Sequence, residues 1–283
     1  MVKTIDTLVE DIYEVINRNG GWTETVNEYF KGRVGETLLS RLSKTDEVRK
    51  GTLRMSNLGT PCERKLWYDV NGEASEELQP HTLFKFLYGD ILEDLILSLA
   101  VAAGHTVEGE QDEVSILGIK GHRDAVIDGV LIDVKSASPY SFKKFKDNRV
   151  KEDDPFGYIQ QLSSYLYCAQ DDPIVKEKQK AGFLVVDKVN GHITLDMYDL
   201  TEEMEVKEEF VKQRKDMVNS EELPEKGYED VPEGKSGNRK LCMQCSYCHH
   251  KASCYPGLRT FVYSRGPIYL THVEKEPNVM EVG

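Results

Sequence analysis

Apolar residues along this chain recur at two spacings, and the change of spacing marks the change of element. Leu8, Ile12, Val15 and Ile16 repeat at helical intervals within 3–19, and Asn19-Gly20-Gly21 closes that run. Residues 22–50 read as further short helices, and 51–61 as a loop ending in Gly59-Thr60-Pro61. Cys62-Glu63-Arg64-Lys65-Leu66-Trp67-Tyr68 reads as the first turns of a helix. Pro80 opens and Gly104 closes a longer one, with Phe84, Leu87, Ile91, Leu95 and Leu99 as its apolar stripe. The period then drops to two. Residues 111–119 predict a strand, and 121–135 predict two strands around Asp128-Gly129, a strong hairpin signal. A helix over 156–170 follows, with Tyr158, Gln161, Tyr165 and Cys168 on one stripe, then a strand pair over 181–188 and 191–199 around Asn190-Gly191. Residues 201–220 read as helical and 221–240 as a linker. There is no internal repeat. This order predicts an α/β protein, a sheet flanked by helices.

The hairpin pattern has a chemical consequence. With Asp128 and Gly129 in the turn, Ile127 pairs with Val130, Val126 with Leu131 and Ala125 with Ile132. Asp124 then stands opposite Asp133, with Cβ atoms about 5 Å apart. Lys135 lies on the same face as Asp133, because side chains alternate along a strand. Two opposed carboxylates repel, and a divalent cation between them removes the repulsion. A metal that polarises a phosphate and acidifies a water, beside an ammonium group, is the chemistry of phosphodiester hydrolysis.

Composition narrows the class. With 283 residues, 39% hydrophobic and 30% charged, the chain suits a globular fold with one sizeable core, or one core plus an appendage. It shows no charged-then-apolar leader and no apolar run of about 18 or more residues, so no membrane partner is expected and the cytoplasm is the expected location. Six cysteines in a reducing compartment are read as metal ligands or core residues rather than disulfides. The net charge of -13 speaks against loose binding to nucleic acid, but much of the acid lies in 201–230, and a local basic patch suffices for a phosphate backbone.

Three further groups carry candidate chemistry. Gly89 and Glu93 share a helix face four residues apart, which lets a neighbour approach the glycine beside a carboxylate. Lys143, Lys144, Lys146, Arg149 and Lys151, interleaved with Phe142 and Phe145, suit contact with phosphates and stacked bases. Cys242, Cys245, Cys248 and Cys254 fall within thirteen residues, the density of a metal or cluster site.

Taken together these stretches resemble the PD-(D/E)xK nuclease superfamily, in particular its RecB-like branch with an iron–sulfur staple, which includes CRISPR-associated exonucleases and the AddB-type nuclease subunit. Gly89-x-x-x-Glu93, Gly121-His122-Arg123-Asp124, Asp133-Val134-Lys135 and Gln161-x-x-x-Tyr165 resemble its successive motifs. The resemblance implies a restriction-endonuclease-like core with a central mixed sheet. It implies Mg2+ or Mn2+ on Glu93, Asp124, Asp133 and the Val134 carbonyl. Lys135 would orient water, and Gln161 and Tyr165 would position DNA or the lysine. It assigns a [4Fe–4S] cluster to Cys62, Cys245, Cys248 and Cys254, and phosphate contacts to Arg64 and the 143–151 run. DNA, as single strands or duplex ends, is the implied partner, with recombination, repair or replication proteins alongside. Three segments follow: a helical region over 1–61, the nuclease core over 62–220, and a linker, Cys-rich segment and tail over 221–283. The sequence departs from the pattern at Glu93, where many relatives carry histidine, at Arg123, which replaces proline, and at Asp133, where glutamate is more usual. Cys242 is an additional cysteine and Cys168 reads as a buried apolar residue. A catalytically silent DNA-binding module on this fold, and a zinc held by four thiolates, are the alternatives.

Overall fold

The computed structural model describes residues 3–18, 22–43, 51–72 and 80–282. In chain order its helices and strands are α1 (Leu8–Asn17), α2 (Glu24–Leu42), α3 (Met55–Leu58), α4 (Glu63–Asn71), α5 (Pro80–Ala102), β1 (Val107–Glu108), β2 (Glu113–Ile116), β3 (Ile119–His122), β4 (Ala125–Ile127) and β5 (Val130–Ala137). After these come α6 (Pro139–Lys146), α7 (Tyr158–Cys168), β6 (Lys180–Asp187), β7 (Ile193–Asp199), α8 (Thr201–Glu205) and α9 (Lys207–Asn219). The last are β8 (Val231–Pro232), β9 (Arg239–Lys240), α10 (Met243–Ser246), α11 (Lys251–Cys254), β10 (Arg259–Tyr263), β11 (Gly266–His272) and β12 (Glu281–Val282). None of the described helices is long and apolar enough to cross a membrane.

The chain forms two compact units. The first comprises 1–48, 54–59 and 78–212, the second 49–53, 60–77 and 213–283. The first holds a mixed sheet in the order β1-β4-β5-β6-β7. β5 and β6 run parallel, joined through α6 and α7, and the other neighbours are antiparallel. The β4–β5 turn has Asp128 at φ 52° and Gly129 at φ 83°, the left-handed pair of a tight hairpin. Asp128 is tied further, accepting from the Thr106 amide at 3.0 Å and meeting His105 Nδ1 at 2.7 Å. The register is the expected one: Ile127 with Val130, Val126 with Leu131, Ala125 with Ile132.

That register sorts the side chains by face. Ala125, Ile127, Val130, Ile132 and Val134 join Leu8 and Ile12 of α1, and Ile96, Leu97 and Ala100 of α5, in one buried cluster. The alternate residues Asp133 and Lys135 therefore point to the opposite face. There Phe145, Tyr158, Phe183 and Tyr198 pack ring against ring.

The second unit holds an antiparallel sheet in the order β12-β10-β11-β9-β8, with Phe261 and Leu270 buried. Cys62 is the N-cap residue of α4, and Cys242 that of α10.

Several expectations need correction. Residues 24–42 form one helix of 19 residues rather than several short ones, because Thr23 caps it by accepting from the Val26 amide at 3.3 Å and nothing inside breaks it. The expected 51–61 loop contains α3. The expected strand over 111–119 is the first arm of a hairpin, β2 with β3, turning on Leu117-Gly118 at positive φ. The expected linker over 221–240 contributes β8 and β9. The Asn19-Gly20-Gly21 stop and residues 44–50 lie outside the described residues.

Candidate active site

β5 presents Asp133 and Lys135, and Asp124 immediately precedes β4. At Asp124 a side chain replaces the ladder: its Oδ2 accepts the Val134 amide proton at 2.7 Å. Asp133 is buried, 3% exposed, and its Oδ2 lies 2.5 Å from Lys135 Nζ. The same ammonium sits 5.1 Å from the Tyr158 ring centroid on α7. Burial raises the Asp124 carboxyl well above the ordinary carboxylate range, and the charges of Asp133 and Glu93 raise it further. For Lys135, burial opposes the charged form, but Asp133 and Asp124 outweigh it and hold the ammonium protonated. Both carboxylates therefore favour the ammonium form of Lys135.

Glu93 reaches the site from α5. Its Oε1 accepts from Gln111 Nε2 at 2.9 Å, with the Arg33 guanidinium 3.9 Å away. Burial is the main reason its pKa is pushed up to about 7, and the charges of Asp133 and Asp94 add to it against the pull of Arg33. Gly89, one turn earlier, has the neighbour its spacing anticipated: a Cβ there would lie 3.2 Å from Ser136 Oγ, the residue after Lys135. From α7, Gln161 and Tyr165 line the same cleft of about 720 Å³ as Glu93 and Asp124. Burial raises the Tyr165 phenol, keeping it a neutral hydrogen-bonding group. The structure therefore brings Glu93, Asp124, Asp133, Lys135, Gln161 and Tyr165 into one region.

The cleft also has walls that the sequence reading missed. α2 supplies Arg33, Thr37 and Arg41, four residues apart each time and so on one helix face. Arg33 Nε donates to Asp94 at 3.0 Å and its guanidinium also pairs with Glu110; Thr37 Oγ1 donates to the other Asp94 oxygen at 2.7 Å. Arg41 holds Asp90 through two bonds, 2.6 and 3.0 Å. Arg54, Lys120 and His122 complete a basic lining. The i, i+4, i+8 stripe was the available signal, but its partners on α5 lie 49 to 61 residues away. Arg123, in the position of the family proline, is 3% exposed and bridges Asp112 and Asp172 at 2.6 Å each, with Nε on the Gly109 carbonyl. It is a buried clamp beside Asp124.

The 143–151 run lies elsewhere. Lys143, Lys144 and Arg149 line a separate hollow of about 180 Å³. Lys144 pairs with Asp153, Arg149 with Glu152 at 3.3 Å and Lys151 with Glu203 at 2.8 Å. Lys146 lies on the last turn of α6. Arg64, in the second unit, donates to the Pro224 carbonyl at 2.6 Å.

Among the described residues, one group of three or more His, Cys, Asp or Glu donors lies within 4.8 Å of one another: Asp69, His249 and His250. Glu93, Asp124 and Asp133 stand wider than that. Their donors are all oxygen, as Mg2+ and Mn2+ prefer, and Mg2+ commonly keeps several waters while taking one or two carboxylates directly. The cleft fits such an ion, and burial of like charges supplies the reason to hold one.

In the second unit, Cys62, Cys242, Cys245, Cys248 and Cys254 gather around Tyr228 and Tyr255. Burial, a hydrogen bond with Cys242 and the neighbouring thiols push the Cys245 thiol up, and the Cys248 thiol shifts the same way, chiefly through burial. Tyr228 feels Cys62, Cys242 and Cys245, while Tyr255 feels Cys245, Cys254 and Cys242. All six cysteines are free.

A mixed sheet flanked by helices, with Asp133 and Lys135 on one strand and Asp124 immediately before its neighbour, places the chain in the α/β class. The profile of the PD-(D/E)XK nuclease superfamily matches residues 32–255, and the chain belongs to that superfamily. No curated protein matches the chain. Among solved structures it is similar to one described as SSO0001, with 19% identity and a TM-score of 0.42 over 79% of this chain and 95% of that one. It is also similar to a phage-related exonuclease from Haemophilus somnus 129PT, with 16% identity and a TM-score of 0.39 over 63% of this chain and 94% of that one.

Proposed function

We propose that this chain is a metal-dependent deoxyribonuclease of the RecB-like branch, an exonuclease on single-stranded DNA or duplex ends acting in recombination, repair or replication in the cytoplasm. One observation carries the reading: the carboxylates of Asp124 and of the buried Asp133 lie close enough to repel, with the Lys135 ammonium 2.5 Å from Asp133.

Glu93, Asp124, Asp133 and the Val134 carbonyl would hold Mg2+ or Mn2+, which supplies a Lewis acid and an acidified water when bound. Lys135, as an ammonium, orients the attacking oxygen and balances charge that develops on the phosphate. Gln161 and Tyr165 donate neutral hydrogen bonds at the cleft wall, where they hold a strand or fix the lysine. Gln111 fixes Glu93. Arg54, Lys120 and His122 line the cleft where phosphates would be met, Lys120 while paired with Glu113, and Arg64 and the 143–151 run would add phosphate contacts outside it.

For the cysteines we propose a [4Fe–4S] cluster on Cys62, Cys245, Cys248 and Cys254, supported by the spacing of two and five residues within Cys245, Cys248 and Cys254 and by the mutual influence of these thiols in the second unit. Anaerobically purified protein should be coloured; colourless protein with stoichiometric zinc would refute this.

The test of the nuclease reading is cleavage of end-labelled single-stranded and duplex oligonucleotides with Mg2+ and with Mn2+. Asp124→Ala and Lys135→Ala should each abolish product while leaving the fold intact. Unchanged cleavage by either variant refutes the site. Retention of DNA without turnover by the wild type would establish a silent binding module instead.

A further inference from the structure

Asp69 lies on α4, and His249 and His250 follow Cys248 between α10 and α11. The Nε2 atoms of both rings lie 2.8 Å from one oxygen, Asp69 Oδ1. Two imidazole nitrogens and a carboxylate oxygen thus converge within 4.8 Å, and neither the carboxylate cleft nor the cysteine set uses these side chains. We propose that Asp69, His249 and His250 form a binding site for one transition-metal dication of the Zn2+ class.

The donor chemistry selects the ion. Imidazole nitrogen with one carboxylate suits Zn2+, Co2+ and Ni2+, whereas Mg2+ and Mn2+ prefer oxygen throughout. The spacing suits it as well. Zinc bonds of about 2.0–2.2 Å in tetrahedral geometry set neighbouring donors roughly 3.3 Å apart, so each imidazole nitrogen needs to move about half an ångström from the Asp69 oxygen. Each ring then carries its proton on Nδ1 and turns its Nε2 lone pair to the ion.

The donors are also held in place. His250 is 3% exposed, with its ring 5.2 Å from that of Tyr68. The two imidazoles lie 4.3 Å apart, centroid to centroid. Lys65 Nζ grips the other Asp69 oxygen at 2.6 Å, the kind of outer hydrogen bond that orients a metal-binding carboxylate. His249, whose side chain is 34% exposed, opens the site to solvent and leaves a fourth position for water. An ion here would join α4, which begins at Cys62, to the turn after Cys248. These are two of the segments the sulfurs are proposed to join.

The experiment uses full-length, anaerobically purified protein titrated with Co2+, with Mg2+ in excess to occupy the carboxylate cleft. One equivalent of Co2+ should bind with tetrahedral ligand-field absorption and no thiolate-to-cobalt charge-transfer band. His249→Ala, at a partly exposed position, should keep its circular dichroism and weaken binding by more than about tenfold. Asp69→Asn, which retains a hydrogen-bond acceptor, should do the same, and Zn2+ should raise the melting temperature of the wild type but of neither variant. Absence of bound Co2+, a thiolate band, or binding unchanged in His249→Ala would each overturn the proposal. So would a melting temperature lowered in the variants without any response of the wild type to Zn2+, since the three residues would then be a hydrogen-bonded knot alone.

Discussion

At the scale of single residues, the cleft stores unfavourable charge. Asp124 and Glu93 are both raised in pKa, first by burial and then by neighbouring carboxylates. Removing one charge should therefore stabilise the metal-free protein while destroying its chemistry. Asp124→Asn keeps an oxygen for the Val134 amide; its melting temperature in EDTA should rise, by roughly 2–4 °C for each kcal/mol gained, and its cleavage rate should fall on the order of a hundredfold or more. Glu93 makes this dependence visible in pH. Its folded pKa of about 7 lies above the ordinary 4.5. The folded state therefore holds this proton more tightly than the unfolded one. Its stabilising contribution is full below about 4.5 and is lost as pH rises through 7. Melting curves in EDTA between pH 5 and 8 should show the wild type losing stability relative to Glu93→Gln, and saturating Mg2+ should cancel the difference. A flat difference would show that Glu93 titrates normally.

At the scale of elements, α2 is the part whose role the sequence conceals. The Arg33-Thr37-Arg41 stripe is plain as a pattern, but a stripe of polar residues on a helix ordinarily faces water. Here it faces α5. Arg33 is half-buried against Asp94, Glu110 and Glu93, so Arg33→Ala leaves acids without their counter-charge and should cost about 3–5 kcal/mol in denaturant unfolding. Arg41 and Asp90 form a more open pair, and Arg41→Ala should cost less than about 1 kcal/mol. Equal losses would mean that α2 is not held to α5 by this ladder. The β4–β5 hairpin is the opposite case. Asp128-Gly129 demands left-handed backbone on both residues, and a two-residue turn sets every pair behind it, so its register was readable to the residue. The β2–β3 hairpin was not, because Leu117 takes positive φ against its ordinary preference.

At the scale of the whole molecule, the second unit is assembled from chain on both sides of the 78–212 segment of the first. A cluster joining Cys62 to Cys245, Cys248 and Cys254 would close a loop of nearly two hundred residues. In the chain-entropy picture this removes about 5 kcal/mol of freedom from the unfolded state. Oxidative loss of the cluster, or Cys62→Ser, should lower the melting temperature markedly, with DNA cleavage falling in parallel as the fold loosens. Retained stability in Cys62→Ser would exclude Cys62 as a ligand. The net charge of -13 is a whole-chain sum. It averages over acids in 201–230 and says nothing of Arg54, Lys120 and His122 on one cleft.

By itself, the sequence determined whatever local geometry controls: the helix that starts at Pro80, the Asp-Gly turn, and the register of Ala125, Val126 and Ile127 against Ile132, Leu131 and Val130. Steric limits on φ and the two-residue period act between neighbours, so neighbours suffice to read them. Only the tertiary structure decided which charges are satisfied. Glu93 and Asp94 are adjacent and chemically alike, yet Asp94 is taken up by Arg33 and Thr37, while Glu93 keeps one short hydrogen bond, from Gln111, and a raised pKa. That difference comes from side chains far apart in the chain, and only folding brings them within reach of either acid.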